Sequence, residues 1–205
     1  MSHVATVHEA VMEPPVLREP GAGVYNAKLG MWVFLASEIM FFTGLIGSYL
    51  ILRTARPDAW RPPGEVLNVP VTAVNTFLLI CSSVTMVKAF AAAQDGQQRA
   101  LCRWLVATTL IGATFVGVQV FEYSLLIGHH GFRPSSGLYG STFYTMTGFH
   151  GFHVTMGVLC LIFVTWKAFR GKYTAADHRG VEVIGLYWHF VDLVWIILFT
   201  IVYLI

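Results

Sequence analysis

Residues 136–157 read SGLYGSTFYTMTGFHGFHVTMG and are the most informative part of the sequence. They belong to an apolar run from Leu138 to Trp166 in which His150 and His153 are the only acidic, basic or imidazole side chains. At about 1.5 Å per residue, this run of 29 residues can cross a hydrocarbon core about 30 Å thick. An ionisable side chain at that depth is costly and needs a partner. Both histidines are therefore candidate site residues.

The composition indicates a membrane protein. Hydrophobic residues make up 56% of the chain and charged residues 12%, whereas soluble domains carry roughly 25% charged residues. A length of 205 residues suits one compact bundle, and a net charge of +2 is too small to indicate nucleic acid as a partner. The three cysteines, Cys81, Cys102 and Cys160, form no C-x-x-C pair and are predicted to be buried apolar fillers.

The distribution of apolar runs predicts an all-α bundle of five transmembrane helices. The predicted spans are about 29–52, 66–87, 104–127, 138–166 and 183–205, within a transmembrane domain of residues 28–205. Residues 1–27 lack the basic and apolar regions of a cleavable signal peptide, so they are predicted to form a short cytoplasmic arm.

Lysine and arginine are divided unequally between the two sides of these spans. Nine fall on the side of the N-terminus: Arg18, Lys28, Lys88, Arg99, Arg103, Lys167, Arg170, Lys172 and Arg179. Four fall on the other side: Arg53, Arg56, Arg61 and Arg133. Because positive residues accumulate on the cytoplasmic side, we predict a cytoplasmic N-terminus and an external C-terminus.

Glu38 is the one charged residue within the first span. It lies about ten residues into the helix, and hence about 15 Å deep. His150 and His153 share a face of the fourth helix and lie at a loosely similar depth. Since an unpaired carboxylate in lipid is costly, Glu38 is expected to be protonated or hydrogen-bonded to a histidine.

Further polar candidates lie in the third and fifth spans. Glu122 is near the end of the third span, in which Ala113 and Gly117 are small enough to let a neighbouring backbone come close. Glu182, His189 and Asp192 line one stripe of the fifth helix. Such polar stripes are expected to face the interior of the bundle.

The histidines allow two interpretations. They are either neutral core residues bonded to backbone or hydroxyl groups, or ligands of a metal or haem. Two haem ligands must face each other across the macrocycle, and a tight metal site needs three or four convergent ligands. Because His150 and His153 point in nearly the same direction, we expect no redox cofactor in this chain. Trp188 and Trp195 are expected to pack against lipid or a partner subunit.

Four ordered motifs resemble subunit III of the haem–copper terminal oxidases. They are YGSTF-x-x-x-TGFHG-x-HV-x-x-G at 139–157, E-x-x-x-x-YWHFVD-x-VW at 182–195, ASEIMFF at 36–42 and Q-x-x-EY at 119–123. The resemblance covers nearly all of residues 28–205. Motifs of this length in this order are highly specific.

The resemblance implies a multi-pass protein of the bacterial inner membrane that carries no redox centre. Such a chain packs beside the catalytic subunit I, holds phospholipid between its helices, and supports sustained turnover and proton uptake. Haems and copper are expected in the partner subunits I and II. Together with the estimated depths, the resemblance predicts that Glu38 contacts His153. It also suggests that the uncharged face of the first and fourth helices meets subunit I.

The resemblance leaves the electron donor open. Longer members have seven spans, and this sequence is expected to lack the first two, which form a wall of the lipid cleft. Five-span chains occur in cytochrome c oxidases and in quinol oxidases, and the YWHFVD motif and Glu38 favour cytochrome c as donor to the complex. The alternative from another class is a stand-alone proton-coupled carrier with Glu38, His153 and Asp192 as its relay.

Overall fold

The computed structural model describes residues 25–60, 67–128 and 131–205, in which no strand occurs. Five helices in these residues are long and apolar enough to cross a membrane. They are α1 (Asn26–Ala55), α2 (Val69–Gln94), α3 (Gln98–Gly128), α4 (Gly137–Phe169) and α5 (Arg179–Phe199). A short 3-10 turn, Pro57–Ala59, follows α1, and a π-helical turn, Thr200–Leu204, extends α5. The all-α membrane fold expected from the sequence is confirmed, whereas most of the predicted N-terminal arm lies outside the described residues.

Most helix ends lie beyond the predicted apolar spans. α2 continues for seven residues past the predicted end at 87, and α3 begins six residues before the predicted start at 104. The backbone can stay helical while lysine and arginine side chains extend from the membrane edge into water. At its other end α2 begins late, at Val69, where the Asn68 side chain accepts a hydrogen bond from the Val71 amide at 3.3 Å.

Helices α2 to α5 form a four-helix ring, and α1 lies outside it. Sequential neighbours pack together from α2 to α5, and α5 closes the ring against α2. α1 packs along α5 and, to a lesser extent, α4. Only Phe42 and Tyr49 of α1 are buried, so this helix has the least protected surface of the five.

The indole of Trp188 lies inside the ring of helices, whereas the sequence analysis placed it at the surface. Trp188 and Trp195 are 1% and 2% exposed and therefore face the core, not lipid or a partner. Glycines at Gly112 of α3 and Gly157 of α4 make room for the Trp188 ring, because a Cβ at Gly112 would lie 2.5 Å from it. The close approach expected at Gly117 is absent, since an added Cβ there would meet nothing within 4 Å.

Two hydrogen bonds from side chains to backbone carbonyls join helix ends. The Arg53 guanidinium donates to the Ile205 carbonyl at 2.5 Å, which ties the end of α1 to the C-terminal turn. The Gln98 amide donates to the Ala168 carbonyl, which joins the start of α3 to the end of α4.

The expectation that the three cysteines are buried fillers is wrong for Cys160, which is exposed on α4, while Cys81 and Cys102 are only half-buried.

Candidate functional site

Glu38 and His153 form the one contact that joins two of the predicted site residues. The His153 Nε2 atom lies 3.0 Å from Oε2 of Glu38, so the contact expected between the two side chains is confirmed. The side chains are 12% and 17% exposed, and the pair is therefore largely withdrawn from the surface. It links the outlying helix α1 to α4 near the middle of both helices.

The geometry fixes the number of protons that the pair holds. His153 Nδ1 is 2.7 Å from the Phe149 carbonyl oxygen, which can only accept, so Nδ1 carries a hydrogen. A hydrogen bond between Nε2 and Oε2 then requires one proton between them, on either the imidazole or the carboxyl group. In both arrangements the pair as a whole is neutral. Neutrality is what a lipid environment favours, while either partner would be costly there as an isolated charge.

Aromatic rings surround the pair on the side of α1. The Phe42 ring lies edge-on to the His153 imidazole with their centroids 5.1 Å apart, and the Phe41 ring is 6.2 Å away. Phe41 in turn packs edge-on against Phe149, one turn before His153. The two phenylalanines that end the ASEIMFF motif therefore shield the Glu38–His153 pair from solvent and lipid.

His150 lies one turn from His153 but in a different environment. It is 0% exposed, stacks on Trp195 with the ring centroids 4.8 Å apart, and meets Phe115 edge-on. Neither ring nitrogen has a hydrogen-bond partner among the described residues. The expected shared face is therefore split, since His150 points into the ring of helices and His153 points towards α1.

Glu122 is buried where α2, α3 and the C-terminal turn meet. Its Oε1 atom accepts a hydrogen bond from the Thr72 hydroxyl at 3.0 Å and from the Tyr203 hydroxyl at 3.4 Å. One turn earlier on α3, the Gln119 amide donates to the Thr147 carbonyl of α4 at 2.9 Å. The Q-x-x-EY motif thus fastens α3 to its neighbours on two sides.

Glu182 lies at the end of the bundle, outside the interior stripe expected for it. It accepts hydrogen bonds from the Lys28 ammonium at 2.5 Å and from the Tyr25 hydroxyl at 3.0 Å. Burial, together with the hydrogen bond to Glu182, raises the pKa of Tyr25 to about 12. This cluster joins the start of α1 to the start of α5 and is a structural connection between two helices.

His189 and Asp192 face α2 from α5. The Ser83 hydroxyl lies 2.6 Å from His189 Nδ1. Asp192 is 4% exposed, and neither of its carboxyl oxygens has a hydrogen-bond partner among the described residues. Such a carboxyl is favoured as the neutral acid or with a water molecule bound to it.

The seven predicted residues therefore occupy five separate places. Only Glu38 and His153 meet, so the relay of Glu38, His153 and Asp192 that a carrier would use is not assembled in this arrangement. In the described part of the chain, no three His, Cys, Asp or Glu side chains converge in a way that could hold a metal ion. The fold and these contacts define a multi-pass membrane protein with one half-buried carboxyl–imidazole pair that can hold a single proton.

Comparison with known proteins gives the family. Residues 18–205 match the family described as cytochrome c oxidase subunit III. A probable cytochrome c oxidase subunit 3 from Mycobacterium tuberculosis is 44% identical over 86% of this chain and 87% of its own length. Cytochrome c oxidase subunit 3 from Thermostichus vulcanus is 40% identical over 86% of each chain, and that from Synechocystis sp. is 41% identical over 85% of this chain and 74% of its own. The chain belongs to the cytochrome c oxidase subunit III family, in agreement with the resemblance seen in the sequence.

Proposed function

We propose that this chain is the accessory third subunit of a cytochrome c oxidase of the bacterial inner membrane. In this proposal it packs on subunit I, contains no redox centre, and supports sustained turnover and proton uptake by the complex. Haems and copper belong to subunits I and II, and cytochrome c delivers electrons to the complex and not to this chain. Membership of the family supports the assembly, and the names of the relatives favour cytochrome c over quinol as donor.

The Glu38–His153 pair is the observation that carries the accessory role. Its single shared proton can move between oxygen and nitrogen over a distance of 3.0 Å without creating a net charge in the membrane. The pair connects the loosely packed α1 to the four-helix ring, so its protonation also affects how firmly α1 is held. A proton-holding contact of this kind suits a chain that assists proton uptake from beside the catalytic subunit.

The apolar surface of α1 and α4 is the face proposed to meet subunit I. Met40 of α1 is 79% exposed, and Phe152 and Phe163 of α4 are 60% and 57% exposed. Crosslinks to subunit I from α1 and α4 would support this face, whereas crosslinks only from α2 or α5 would contradict it.

An apolar groove of about 510 Å³ runs between α1, α4 and α5. It includes Met31 and Ile184, and it would suit the acyl chains of a phospholipid.

Purification in mild detergent tests the proposed function. An affinity tag on this chain should recover a haem–copper subunit, and the recovered complex should oxidise reduced cytochrome c in preference to quinol. Once it is separated from its partners, this chain should show no haem absorption spectrum. Recovery of the chain alone, with proton-coupled transport after reconstitution into vesicles, would instead establish a carrier. Oxidation of quinol by the recovered complex would correct the donor.

A further inference from the structure

A groove at one end of the bundle, between the start of α3 and the end of α4, differs from the other surfaces in its charge. It has a volume of about 810 Å³. Its lining residues are Gln98, Arg99, Cys102, Arg103, Val106, Ala168 and Phe169. The hydrogen bond from the Gln98 amide to the Ala168 carbonyl joins the two helices at the groove. The groove therefore lies where α3 and α4 are held together, and two arginines of α3 line it.

Arg99 and Arg103 are one helical turn apart on α3 and line the groove together. Both are exposed, and neither forms a salt bridge or a side-chain hydrogen bond with any of the described residues. Two adjacent guanidinium groups repel each other, and an anion between them removes this repulsion. The arrangement thus has a positive charge that the described part of the chain leaves without compensation.

Two other cations at this end of the bundle, Lys88 and Arg170, have partners of their own. The Lys88 ammonium lies over the Trp104 ring at 4.6 Å from its centroid, and the Arg170 guanidinium lies over the Trp166 ring at 3.9 Å. Such cation–π contacts compensate part of the charge of both side chains. Trp104 and Trp166 also mark the level of the membrane–water interface, where tryptophan is enriched.

The apolar side of the groove continues from this level towards the middle of the membrane. Val106 lines it, whereas Phe169, which follows Trp166 on α4, lines the groove at the level of the arginines. Leu110, one turn beyond Val106 on α3, is 62% exposed. A ligand that fits has a negative headgroup at the interface and hydrocarbon chains below it.

We propose that this groove binds an anionic phospholipid, with its phosphate held between Arg99 and Arg103. Arginine suits phosphate because its planar fork donates two parallel hydrogen bonds, and basic pockets between helices at the membrane surface bind lipid headgroups. The acyl chains lie against Val106 and Leu110. This site is separate from the groove beside α1 and does not depend on the proposed oxidase function.

Photocrosslinking of the full-length chain, purified with its partner subunits, tests the proposal. The complex is reconstituted into vesicles that contain a trace of phosphatidylglycerol with a photoreactive acyl chain, in a background of phosphatidylcholine. Crosslinked peptides should cover the α3 segment from Cys102 to Leu110 and the end of α4. Unlabelled phosphatidylglycerol should compete for this labelling, unlabelled phosphatidylcholine should not, and high salt should weaken it.

Charge variants separate the groove from general electrostatic attraction. Arg99→Gln with Arg103→Gln should reduce labelling of the groove by about tenfold or more, since each basic residue near a lipid surface contributes about 1 kcal/mol. Lys88→Gln with Lys172→Gln removes the same charge from the same end outside the groove and should leave labelling within about twofold of the wild type. Arg99→Lys with Arg103→Lys keeps the charge and should retain most of the labelling even if the Gln variant fails to assemble.

Three results would overturn the proposal. One is equal labelling of the groove by photoreactive phosphatidylcholine and phosphatidylglycerol. Another is equal loss of labelling in the Arg→Gln and Lys→Gln double variants. The third is the absence of labelling between Cys102 and Leu110 in the assembled complex, which would show that lipid does not occupy the groove.

Discussion

At the scale of single residues, Glu38 differs from Glu122 and Asp192 because its partner is an imidazole. Glu122 is bonded to two hydroxyl groups, and Asp192 has no partner among the described residues. The Glu38–His153 pair can hold a proton on either of two side chains within the membrane and stay neutral. The effects of substitution at Glu38 should reflect this property.

We expect Glu38→Gln to assemble normally and to keep the initial oxidase rate within about twofold, because the amide preserves shape and hydrogen bonding. The defect should appear as a changed pH dependence or faster loss of activity during turnover, since the amide cannot hold the shared proton. Glu38→Ala should in addition weaken association with subunit I or lower stability by about 1–3 kcal/mol, because the imidazole loses its partner.

The measurements are initial rate, inactivation half-life and subunit retention of both variants across pH. Ser37→Ala is a matched control, because Ser37 is exposed and its hydroxyl bonds only to the Phe34 carbonyl of the same helix. Loss of initial electron transfer in a fully assembled Gln variant would give the carboxyl a direct catalytic role and contradict the accessory interpretation.

At the scale of helices, Gly112 determines how closely α3 approaches α5. A Cβ added at Gly112 would lie 2.5 Å from Trp188 Cη2 and 3.1 Å from Val158 Cγ2, so the helices or the indole would have to move. We expect Gly112→Ala to lower the free energy of unfolding by about 1–3 kcal/mol through overpacking. Thermal unfolding in detergent, followed by near-ultraviolet circular dichroism, measures the change.

Gly117→Ala provides the control for Gly112→Ala on the same helix. A Cβ there would meet no atom within 4 Å, and alanine is the better helix former by up to about 1 kcal/mol. The control should therefore be neutral or slightly stabilising. Equal destabilisation by both substitutions would show that helix packing around Trp188 is not the cause.

The contact between the start of α1 and the start of α5 should depend on pH. The pKa of Tyr25 is raised from its usual value of 10 to about 12 in the folded chain, so the neutral phenol is favoured by folding. Its contribution is fully present below pH 10 and is lost as the pH rises towards 12, when the ionised phenol is repelled by Glu182. We expect wild type to exceed Tyr25→Phe in thermal stability at pH 8 and the difference to vanish near pH 12.

Unfolding midpoints of wild type and Tyr25→Phe between pH 8 and pH 11.5 test this expectation. Both proteins share every other titrating group, so only their difference matters. A difference that stays constant across this range would contradict the predicted loss of the contact at high pH, and no difference at any pH would mean that the hydroxyl bond to Glu182 does not contribute to stability.

At the scale of the whole molecule, the antiparallel helices bring the basic segments to one end. The turn at Gly96 lies beside Ala175 of the turn between α4 and α5, and Lys28 at the start of α1 bonds to Glu182 there. We expect this end to face the cytoplasm, because positive residues are retained on that side. Alkaline phosphatase fused after Ile205 should be active, and fused after Gly171 it should be inactive. The reverse pattern would contradict the predicted orientation.

The membrane class, the number of helices and the family can be read from the amino-acid order alone. These properties depend on apolar runs and on ordered motifs, which are local features that can be recognised without knowledge of the packing. The pairing of Glu38 with His153 was also predictable, because the family resemblance and the similar estimated depths singled out one histidine as partner of the buried carboxyl group.

Only the tertiary structure decided which face of each helix turns inward. Helical periodicity put His150 beside His153, yet a separation of 60° on the wheel sends one ring into the core and the other towards α1. The tryptophans were assigned to the surface because nothing in the linear sequence links Trp188 to Gly112 and Gly157, which belong to other helices. The groove beside Arg99 and Arg103 likewise arises from two helices in contact, since α3 supplies the arginines and α4 supplies Ala168 and Phe169.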